Sequence, residues 1–377
     1  MSGAFRTFMD RIMGGRGEHS ITVPVMDGAL KPNDYLDRMP ALAALAEPDN
    51  LVSDGETAWL SSGPDLYRLG ADGTVALVCR ETAPITFLAR SASGVLAIGL
   101  DSGGFRIMSG ERDGRTFAAE GSGRIGAPTA AVFLDEGSLI VCNGSSVNPA
   151  SEWRRDLLDL GRTGSIVKVD LGSGSVSRIA DHLAWPCGVC LAGKGEVVVS
   201  EAWRHRLLRQ RLDGGAGTTV LADLPAYPGR LVSAADGGGW LTLFAVRSQL
   251  QEFVLREPRY RREMMATVKP AYWIAPSLSS GKSFMEPLQA GGVIRLGIHK
   301  PWAPTRSYGL LARLDDQFQP VWSAHSRANG ARHGITSITE LGGRAIVTAR
   351  GNDELLAIDH TAIDEPFDLY MQADAAE

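Results

Sequence analysis

The amino-acid sequence predicts an all-β protein: a six-bladed β-propeller with an N-terminal extension and a helical insertion in the fifth-blade region. The first observation behind this prediction is a repeat, in which a proline, an apolar strand, a glycine turn and a more apolar strand follow one another. Successive prolines of the repeat are 36, 44, 58 and 42 residues apart, close to the roughly 40–50 residues of a propeller blade. The second observation concerns the segments between copies, which alternate apolar and polar residues and close in Asp-Gly or glycine-rich turns, as hairpins do.

Six copies of the repeat predict six blades. Five copies begin with a proline, and the sixth, RHGITSITELGGRAIVTAR from Arg332, keeps the rest of the pattern without it. The five prolines are Pro48, Pro84, Pro128, Pro186 and Pro228. Each copy supplies two strands and the hairpin after it supplies two more, which together make the four-stranded blade of a propeller.

Residues 1–45 are predicted to precede the propeller, which we expect to span residues 46–372. Apolar side chains at helical spacing in the first thirteen residues predict a short amphipathic helix, and a proline-punctuated loop follows it. The helix either packs on the body as a cap or contacts a membrane surface, and the few basic residues on its polar side favour the cap. Arg6, Asp10 and Arg11 interrupt its apolar residues, so we do not expect a signal peptide. The apolar residues are Phe5, Phe8, Met9, Ile12 and Met13.

An insertion at about residues 248–292 interrupts the fifth blade. Its apolar spacing indicates two helical pieces that separate at Pro258. Insertions of this length are often lids or binding elements, and we assign Tyr272 and Trp273 to substrate binding on that basis. The alternative is that these aromatic residues only pack the insertion onto the propeller. A shorter insertion at residues 148–162 lengthens the third blade.

Charge and cysteine content argue against several classes of protein. The net charge is −5 with no long basic run, which argues against a nucleic-acid partner. Four cysteines in 377 residues are too few for a disulfide framework, so we expect a reduced, cytoplasmic setting. No apolar run approaches the roughly 18 residues that a membrane-spanning helix needs.

Longer motifs extend the fold prediction to a family. The segment WPCGVCLAGKGEVVVSEAWRHRLLRQRLDG, which starts at Trp185, and VLADLPAYPGRLVSAADGGGW after it closely resemble the fourth and fifth blades of strictosidine-synthase-like proteins. That group includes the adipocyte plasma membrane-associated proteins and is more distantly similar to the SMP-30, gluconolactonase and paraoxonase propellers. Segments such as GALKPNDYLDR and SEWRRDLLDLGRTGSIVKVD carry the resemblance over nearly the whole chain.

In a propeller, the first residue of each innermost strand faces the mouth of the central channel. The repeat nominates Asp49, Ile85, Thr129, Cys187, Gly229 and His333 for this ring. The resemblance to the lactonases implies a Glu, two Asn and an Asp around a calcium ion. Here only Asp49 keeps an acid, Thr129 and Cys187 stand where the two Asn would be, and Gly229 stands where the Asp would be. Calcium takes several carboxylate or amide oxygens, so we predict no catalytic metal and no other cofactor.

The resemblance also implies a reaction, which this chain does not preserve. Strictosidine synthase condenses an amine with an aldehyde without a metal, using a glutamate in the inner strand of the last blade. Thr336 occupies that position here, so strictosidine synthesis itself is not expected. Thr336, Thr129 and Arg230 are assigned to substrate binding. Arg230 would either bind an anionic substrate or neutralise Asp49.

The residues assigned to catalysis are His333, Asp49, Cys187 and Glu201. His333 suits proton transfer because histidine titrates near neutral pH, and the alternative is a hydrogen-bonded structural histidine. Cys187 beside a protonated histidine would be a nucleophile; the other interpretation, which we favour, is a small buried apolar residue. Glu201 either points into the cleft or, as we favour, forms ion pairs with Arg204 or Arg206.

Three functions of different classes remain open from the sequence. The preferred one is a metal-independent enzyme that acts on a small, partly apolar organic molecule in the channel, through a condensation, lyase or isomerase step. The second is a metal-dependent lactonase or esterase, a hydrolase with a rearranged ligand set. The third is a non-catalytic propeller that binds a small molecule or serves as a scaffold.

Overall fold

The structure is a computed structural model that describes residues 23–118, 123–193, 195–287, 294–295, 298–303 and 305–359. The helix predicted over the first thirteen residues and the end of the predicted propeller, residues 360–372, lie outside these ranges. The described chain forms six four-stranded sheets and one two-stranded hairpin. The predicted six-bladed β-propeller is therefore confirmed.

Blades 1 to 5 are built from antiparallel strands in chain order, counted outward from the channel. Blade 1 contains β2 (Pro48–Ser53), β3 (Thr57–Ser62), β4 (Asp65–Gly70) and β5 (Val75–Arg80). Blade 2 contains β6 (Ile85–Arg90), β7 (Leu96–Leu100), β8 (Phe105–Met108) and β9 (Thr116–Phe117). Blade 3 contains β10 (Pro128–Asp135), β11 (Ser138–Asn143), β12 (Gly164–Asp170) and β13 (Val176–Leu183).

The fourth and fifth blades continue the same order. Blade 4 contains β14 (Pro186–Leu191), β15 (Glu196–Glu201), β16 (Arg206–Arg211) and β17 (Thr218–Leu221). Blade 5 contains β18 (Ala226–Ser233), β19 (Gly239–Val246), β22 (Gly309–Leu314) and β23 (Pro320–Ser326). The two-stranded hairpin, β20 (Ile294–Arg295) and β21 (Ile298–His299), lies between β19 and β22 in the sequence.

Blade 6 closes the ring with strands from opposite ends of the described chain. Its inner three strands are β24 (Ile335–Leu341), β25 (Arg344–Ala349) and β26 (Glu354–Asp359), and β1 (Ala41–Ala44) is the outermost. β1 pairs antiparallel with β26, and Ala41 lies opposite Leu356. The predicted extension therefore ends before residue 41 rather than at residue 45, because its last residues complete a blade.

The core lies between the blades. All residues of β11 and β19 are buried, and one apolar cluster joins Val198 of blade 4 to Leu241 and Leu310 of blade 5. A strand buried on both faces has no polar side, so its sequence is a short continuous apolar run. This burial explains why the second strand of each repeat is the more apolar one.

The described residues form four α-helices outside the sheets: α1 (Tyr35–Arg38), α2 (Trp153–Leu158), α3 (Gln249–Arg256) and α4 (Pro258–Thr267). Helices α3 and α4 separate at Pro258 between β19 and β22, which confirms a helical insertion in the fifth-blade region. Proline suits the first turn of a helix, where the missing N–H has no intrahelical partner. Val254, Met264 and Trp273 of the insertion pack on Leu158 of α2. No helix in the described ranges is long and apolar enough to cross a membrane.

Candidate functional site

A cavity of about 450 Å³ lies at the mouth of the central channel, and all six blades contribute to its lining. The residues at the start of the six innermost strands line it: Asp49, Ile85, Thr129, Cys187, Gly229 and Thr336. Five of these six were nominated by the repeat. The sixth position is held by Thr336, three residues after the nominated His333.

The structure therefore corrects the position of His333. Its strand, β24, begins only at Ile335, so His333 belongs to the preceding loop. His333 is 4% exposed, with Nδ1 2.8 Å from Ser307 Oγ and Nε2 2.8 Å from the carbonyl oxygen of Arg327. Both ring nitrogens are engaged and the residue does not line the cavity. This is the environment of a hydrogen-bonded structural histidine.

Cys187 lines the cavity, but its thiol is a poor nucleophile there. The sulfur lies 3.2 Å from the carbonyl oxygen of Pro228 and 3.7 Å from Ser200 Oγ. Burial raises the pKa of the thiol to about 11, and the hydrogen bond with Ser200 and the charge of Arg230 offset only part of that rise. Because the thiolate is the nucleophile, we expect Cys187 to react slowly at neutral pH.

Arg230 lies across the channel and connects four blades. Its guanidinium donates hydrogen bonds to the carbonyl oxygen of Cys187 at 3.0 Å, to that of Thr86 at 2.5 Å and to Asn50 Oδ1. Thr129 makes a similar link between blades, with Oγ1 2.5 Å from the carbonyl oxygen of Pro186. Both side chains line the cavity while being held by neighbouring blades.

Asp49 is neutralised by Arg350 rather than by Arg230. The guanidinium of Arg350 donates to Asp49 Oδ2 at 2.9 Å and to Glu47 Oε2 at 3.2 Å. The backbone N–H of Asn50 donates to Asp49 Oδ1 at 2.8 Å. These two carboxylates raise the pKa of Arg350 against the opposing effect of burial. The cavity lining thus contains an ion-pair network of Arg350 with Asp49 and Glu47, which the sequence did not predict.

The channel ring does not fit the calcium ion that the fold family implies. Asp49 is its single carboxylate and is already paired with Arg350, while the guanidinium of Arg230 takes the amide oxygen of the neighbouring Asn50. Calcium requires several free oxygen ligands. Across the part of the chain that the structure describes, no group of three or more His, Cys, Asp or Glu residues could hold a metal ion.

Glu201 lies outside the cavity, which corrects its assignment to catalysis. Its carboxylate is fully buried and accepts hydrogen bonds from Arg204 at 2.8 Å, Arg206 at 2.6 Å and the amide of Ala184 at 2.7 Å. No oxygen of this carboxylate is left for a substrate. The ion-pair interpretation of Glu201 describes its environment.

Trp273 and Tyr272 also do not line the cavity. Trp273 is buried, donates from Nε1 to the carbonyl oxygen of Val268 at 2.9 Å and packs within the insertion, and Tyr272 is half-buried beside it. The insertion instead reaches the cavity through residues that follow α4: Ser277, Leu278, Ser279 and Lys282. Packing requirements of the insertion, rather than the channel, determine where the two aromatic residues lie.

Further lining residues come from the ends of the second strands, from the third-blade insertion and from the residue before β14: Asp101, Arg350, Phe244, Trp153, Arg154 and Trp185. Asp101 follows β7 and Arg350 follows β25. In an antiparallel pair, the end of the second strand lies beside the start of the first. The same pairing predicts from the sequence that the residue after the second strand of each repeat also lies at the cavity.

Asp101 is the carboxylate of the cavity that lacks a cationic partner among the described residues. Its Oδ1 accepts a hydrogen bond from the amide of Ser151 at 2.8 Å, which holds the side chain against the third-blade insertion. An aromatic wall faces the same space. Trp153 meets Phe244 edge-on at 5.5 Å, and Trp185 stacks on Trp203 at 5.4 Å between ring centroids.

Comparisons with known proteins support the family resemblance. No family model matches the chain. The adipocyte plasma membrane-associated protein of Bos taurus is 26% identical over 160 residues, which are 37% of this chain and 39% of that protein. The match thus spans well under half of the relative's length.

Solved structures support the fold across most of the chain. Regucalcin, a calcium-binding protein from Agrobacterium tumefaciens, has a TM-score of 0.52 at 12% identity and covers 85% of this chain and 93% of its own. A gluconolactonase from Xanthomonas campestris has a TM-score of 0.52 at 13% identity, over 84% of this chain and 87% of its own. The expected similarity to strictosidine-synthase-like and SMP-30/gluconolactonase propellers is confirmed, and identities this low extend to the fold alone.

Proposed function

From its similarity to the strictosidine-synthase-like and SMP-30/gluconolactonase propellers, we propose that this protein is an enzyme acting on a small, partly apolar organic molecule in the channel-mouth cavity. The observation that carries the proposal is the placement of Asp101. A carboxylate with one hydrogen bond, from Ser151, opens onto a cavity of about 450 Å³ that has an aromatic wall. Small molecules bind in concave clefts where polar groups fix their orientation against apolar side chains, and this cavity combines its polar lining with Trp153, Trp185 and Phe244.

Asp101 takes the acid–base role that the sequence had suggested for His333. A carboxylate within reach of a bound molecule accepts a proton and returns it, which is the chemistry of condensation, lyase and isomerase reactions. Thr336 and Thr129 supply hydroxyl groups to the same cavity. The charges of Asp49 and Glu47 are offset by Arg350, so Asp101 is the carboxylate left for chemistry among the described lining residues.

Metal independence is part of this proposal, and the ring chemistry supports it. The guanidinium groups of Arg230 and Arg350 already bind the oxygens of Asn50 and Asp49 that a cation would need. The alternative is a lactonase or esterase, for which the fold similarity to proteins described as gluconolactonases is the supporting observation. That alternative requires a metal bound by groups other than the paired ring residues.

The test compares turnover with and without a chelator. Purified protein is assayed on tryptamine with an aliphatic aldehyde, on a γ-lactone and on p-nitrophenyl acetate, in EDTA or in calcium. We expect turnover that EDTA leaves unchanged and that Asp101→Asn lowers by about 100-fold or more, the usual contribution of a general acid or base. Glu111→Gln, in the same blade but exposed, is the matched control and should keep full activity.

Two other results would point elsewhere. Lactone turnover that EDTA abolishes and calcium restores, with one tightly bound calcium ion per chain by elemental analysis, would replace the proposal by the lactonase. Turnover that Asp101→Asn leaves intact would remove Asp101 from the mechanism.

A further inference from the structure

The third-blade insertion brings to the cavity a guanidinium that forms no ion pair with a carboxylate of the described residues. Arg154, in α2, lines the cavity and lies over the ring of Trp153, with its guanidinium carbon 5.7 Å from the ring centroid. No carboxylate of the described residues forms an ion pair with it within 4 Å. By contrast, Arg350, which also lines the cavity, is paired with both Asp49 and Glu47.

Charges of both signs lie near Arg154. Arg306 is buried near it, and the two guanidinium groups repel each other. Arg306 has one carboxylate partner, Glu286 at 3.8 Å, and its Nε is a buried donor with no hydrogen-bond partner. Burial lowers the pKa of Arg154, and the nearby charge of Glu152 offsets only part of that effect. Glu152 itself is exposed and lies 3.5 Å from Arg155.

The segment after α4 adds further hydrogen-bond donors to the cavity lining. Lys282 is exposed at the outer edge of the cavity, and Ser277 and Ser279 lie on the same segment after α4. Aromatic faces flank these donors, since Trp153, Trp185 and Phe244 line the same cavity. A cation in a partly desolvated site binds an anion through charge-assisted hydrogen bonds, which are stronger than neutral ones.

We propose that the cavity takes an organic anion: a molecule with a planar apolar body against the Trp153 wall and a carboxylate bound by Arg154, with Lys282 at the entrance. This inference rests on the proposed function, because it assigns the substrate class of the same cavity. It gives a role to Arg154 and Lys282, which line the cavity without an ion pair among the described residues, whereas Arg350 is paired with Asp49 and Glu47.

The test uses a matched pair of probes, 2-naphthoate and its neutral amide 2-naphthamide, titrated into the full chain by calorimetry. A single charge-assisted hydrogen bond is worth about 1.5–3 kcal/mol, so we expect the naphthoate to bind about tenfold more tightly or better. Arg154→Met should abolish this preference, and Arg154→Lys should keep part of it. Arg155→Met is the control, because Arg155 is adjacent in sequence but contacts Glu152 and Trp273 instead. Unfolding midpoints establish that each variant is folded.

Each outcome decides the proposal. Equal binding of naphthoate and naphthamide overturns the anion subsite and leaves the cavity as a small-molecule site. A preference that survives in Arg154→Met, or disappears in Arg155→Met, overturns the assignment to Arg154. Absence of binding by both probes overturns the anion subsite and counts against the proposed function as well.

Discussion

Asp101 and Glu201 occupy corresponding positions in blades 2 and 4, yet their environments are opposite. Glu201 ends its second strand opposite Pro186, and the amide of Asp101 donates to the carbonyl oxygen of Pro84 at the same point of its repeat. Glu201 is fully buried with three hydrogen-bond donors. Asp101 has one donor and faces the cavity. The same position of the repeat therefore stabilises one blade and leaves a carboxylate open to the cavity in another.

The residues that follow each acid explain the difference. After Glu201 the chain turns immediately, and the side chains of Arg204 and Arg206 return to its carboxylate. After Asp101 come Ser, Gly and Gly, with Gly103 and Gly104 at φ values of +99° and +67°. This left-handed backbone suits glycine and places no cationic side chain beside the acid. The three or four residues that follow the second strand therefore decide whether the acid at its end is held by ion pairs or is open to a ligand.

The largest effect that would test this comparison is the loss of the Glu201 charge. Glu201→Gln leaves two arginines without their buried counter-charge, and breaking such a pair costs about 3 kcal/mol. Asp101→Asn should cost less than about 1 kcal/mol, as expected for a partly exposed side chain with one hydrogen bond. Urea unfolding of both variants measures the difference. Equal losses of unfolding free energy would show that the two positions are energetically alike.

The next prediction concerns Arg230 in the channel, whose guanidinium donates hydrogen bonds to three acceptors on other blades. Arg230→Met removes hydrogen bonds to Asn50, Thr86 and Cys187, and we expect a loss of about 2 kcal/mol, since water entering the cavity replaces part of them. The control is Arg344→Met, which removes one solvent-exposed hydrogen bond, to the carbonyl oxygen of Ala71, and should cost less than about 0.5 kcal/mol. A loss for Arg230→Met no greater than the control would exclude a role in joining the blades.

The smallest effect concerns Cys187, which lines the same cavity without an exposed charge. Its thiol pKa of about 11 means that alkylation of the folded protein should be slow at pH 7.5 and rise about tenfold per pH unit below that pKa. The thiol ionises near pH 8.5 in the unfolded chain and near pH 11 in the folded protein. The buried protonated thiol therefore contributes stability that is fully present below about pH 8.5 and is lost as the pH rises to about 11.

Mass spectrometry of the labelled peptides follows Cys187 separately from the other three cysteines. Cys187→Ala should change turnover less than about threefold, because a protonated buried thiol acts as a small apolar residue. Rapid labelling at neutral pH, or a large loss of turnover, would restore Cys187 as a nucleophile.

Sequence reasoning reached most of the channel ring because a repeat and an antiparallel hairpin together determine which residues face the axis. Asp49, Thr129 and Cys187 were identified in this way, and all of them line the cavity. It failed at the sixth copy, where no proline marks the start of the strand and His333 was taken for the position of Thr336. It also overlooked the strand ends that carry Asp101 and Arg350, although their places follow from the same hairpin.

The amino-acid sequence by itself determined the six blades, the helical insertion and five of the ring positions, because periodicity and turn chemistry act over a few tens of residues. Tertiary structure alone decided which charges are available. Arg350 neutralises Asp49 across 301 residues of sequence and Arg230 binds Asn50 across 180, while β1 completes the last blade from the other end of the described chain. Such partners meet only when the ring closes, and no local pattern records them. Their meeting leaves Asp101, Arg154 and Lys282 without an ion pair among the described residues of the cavity.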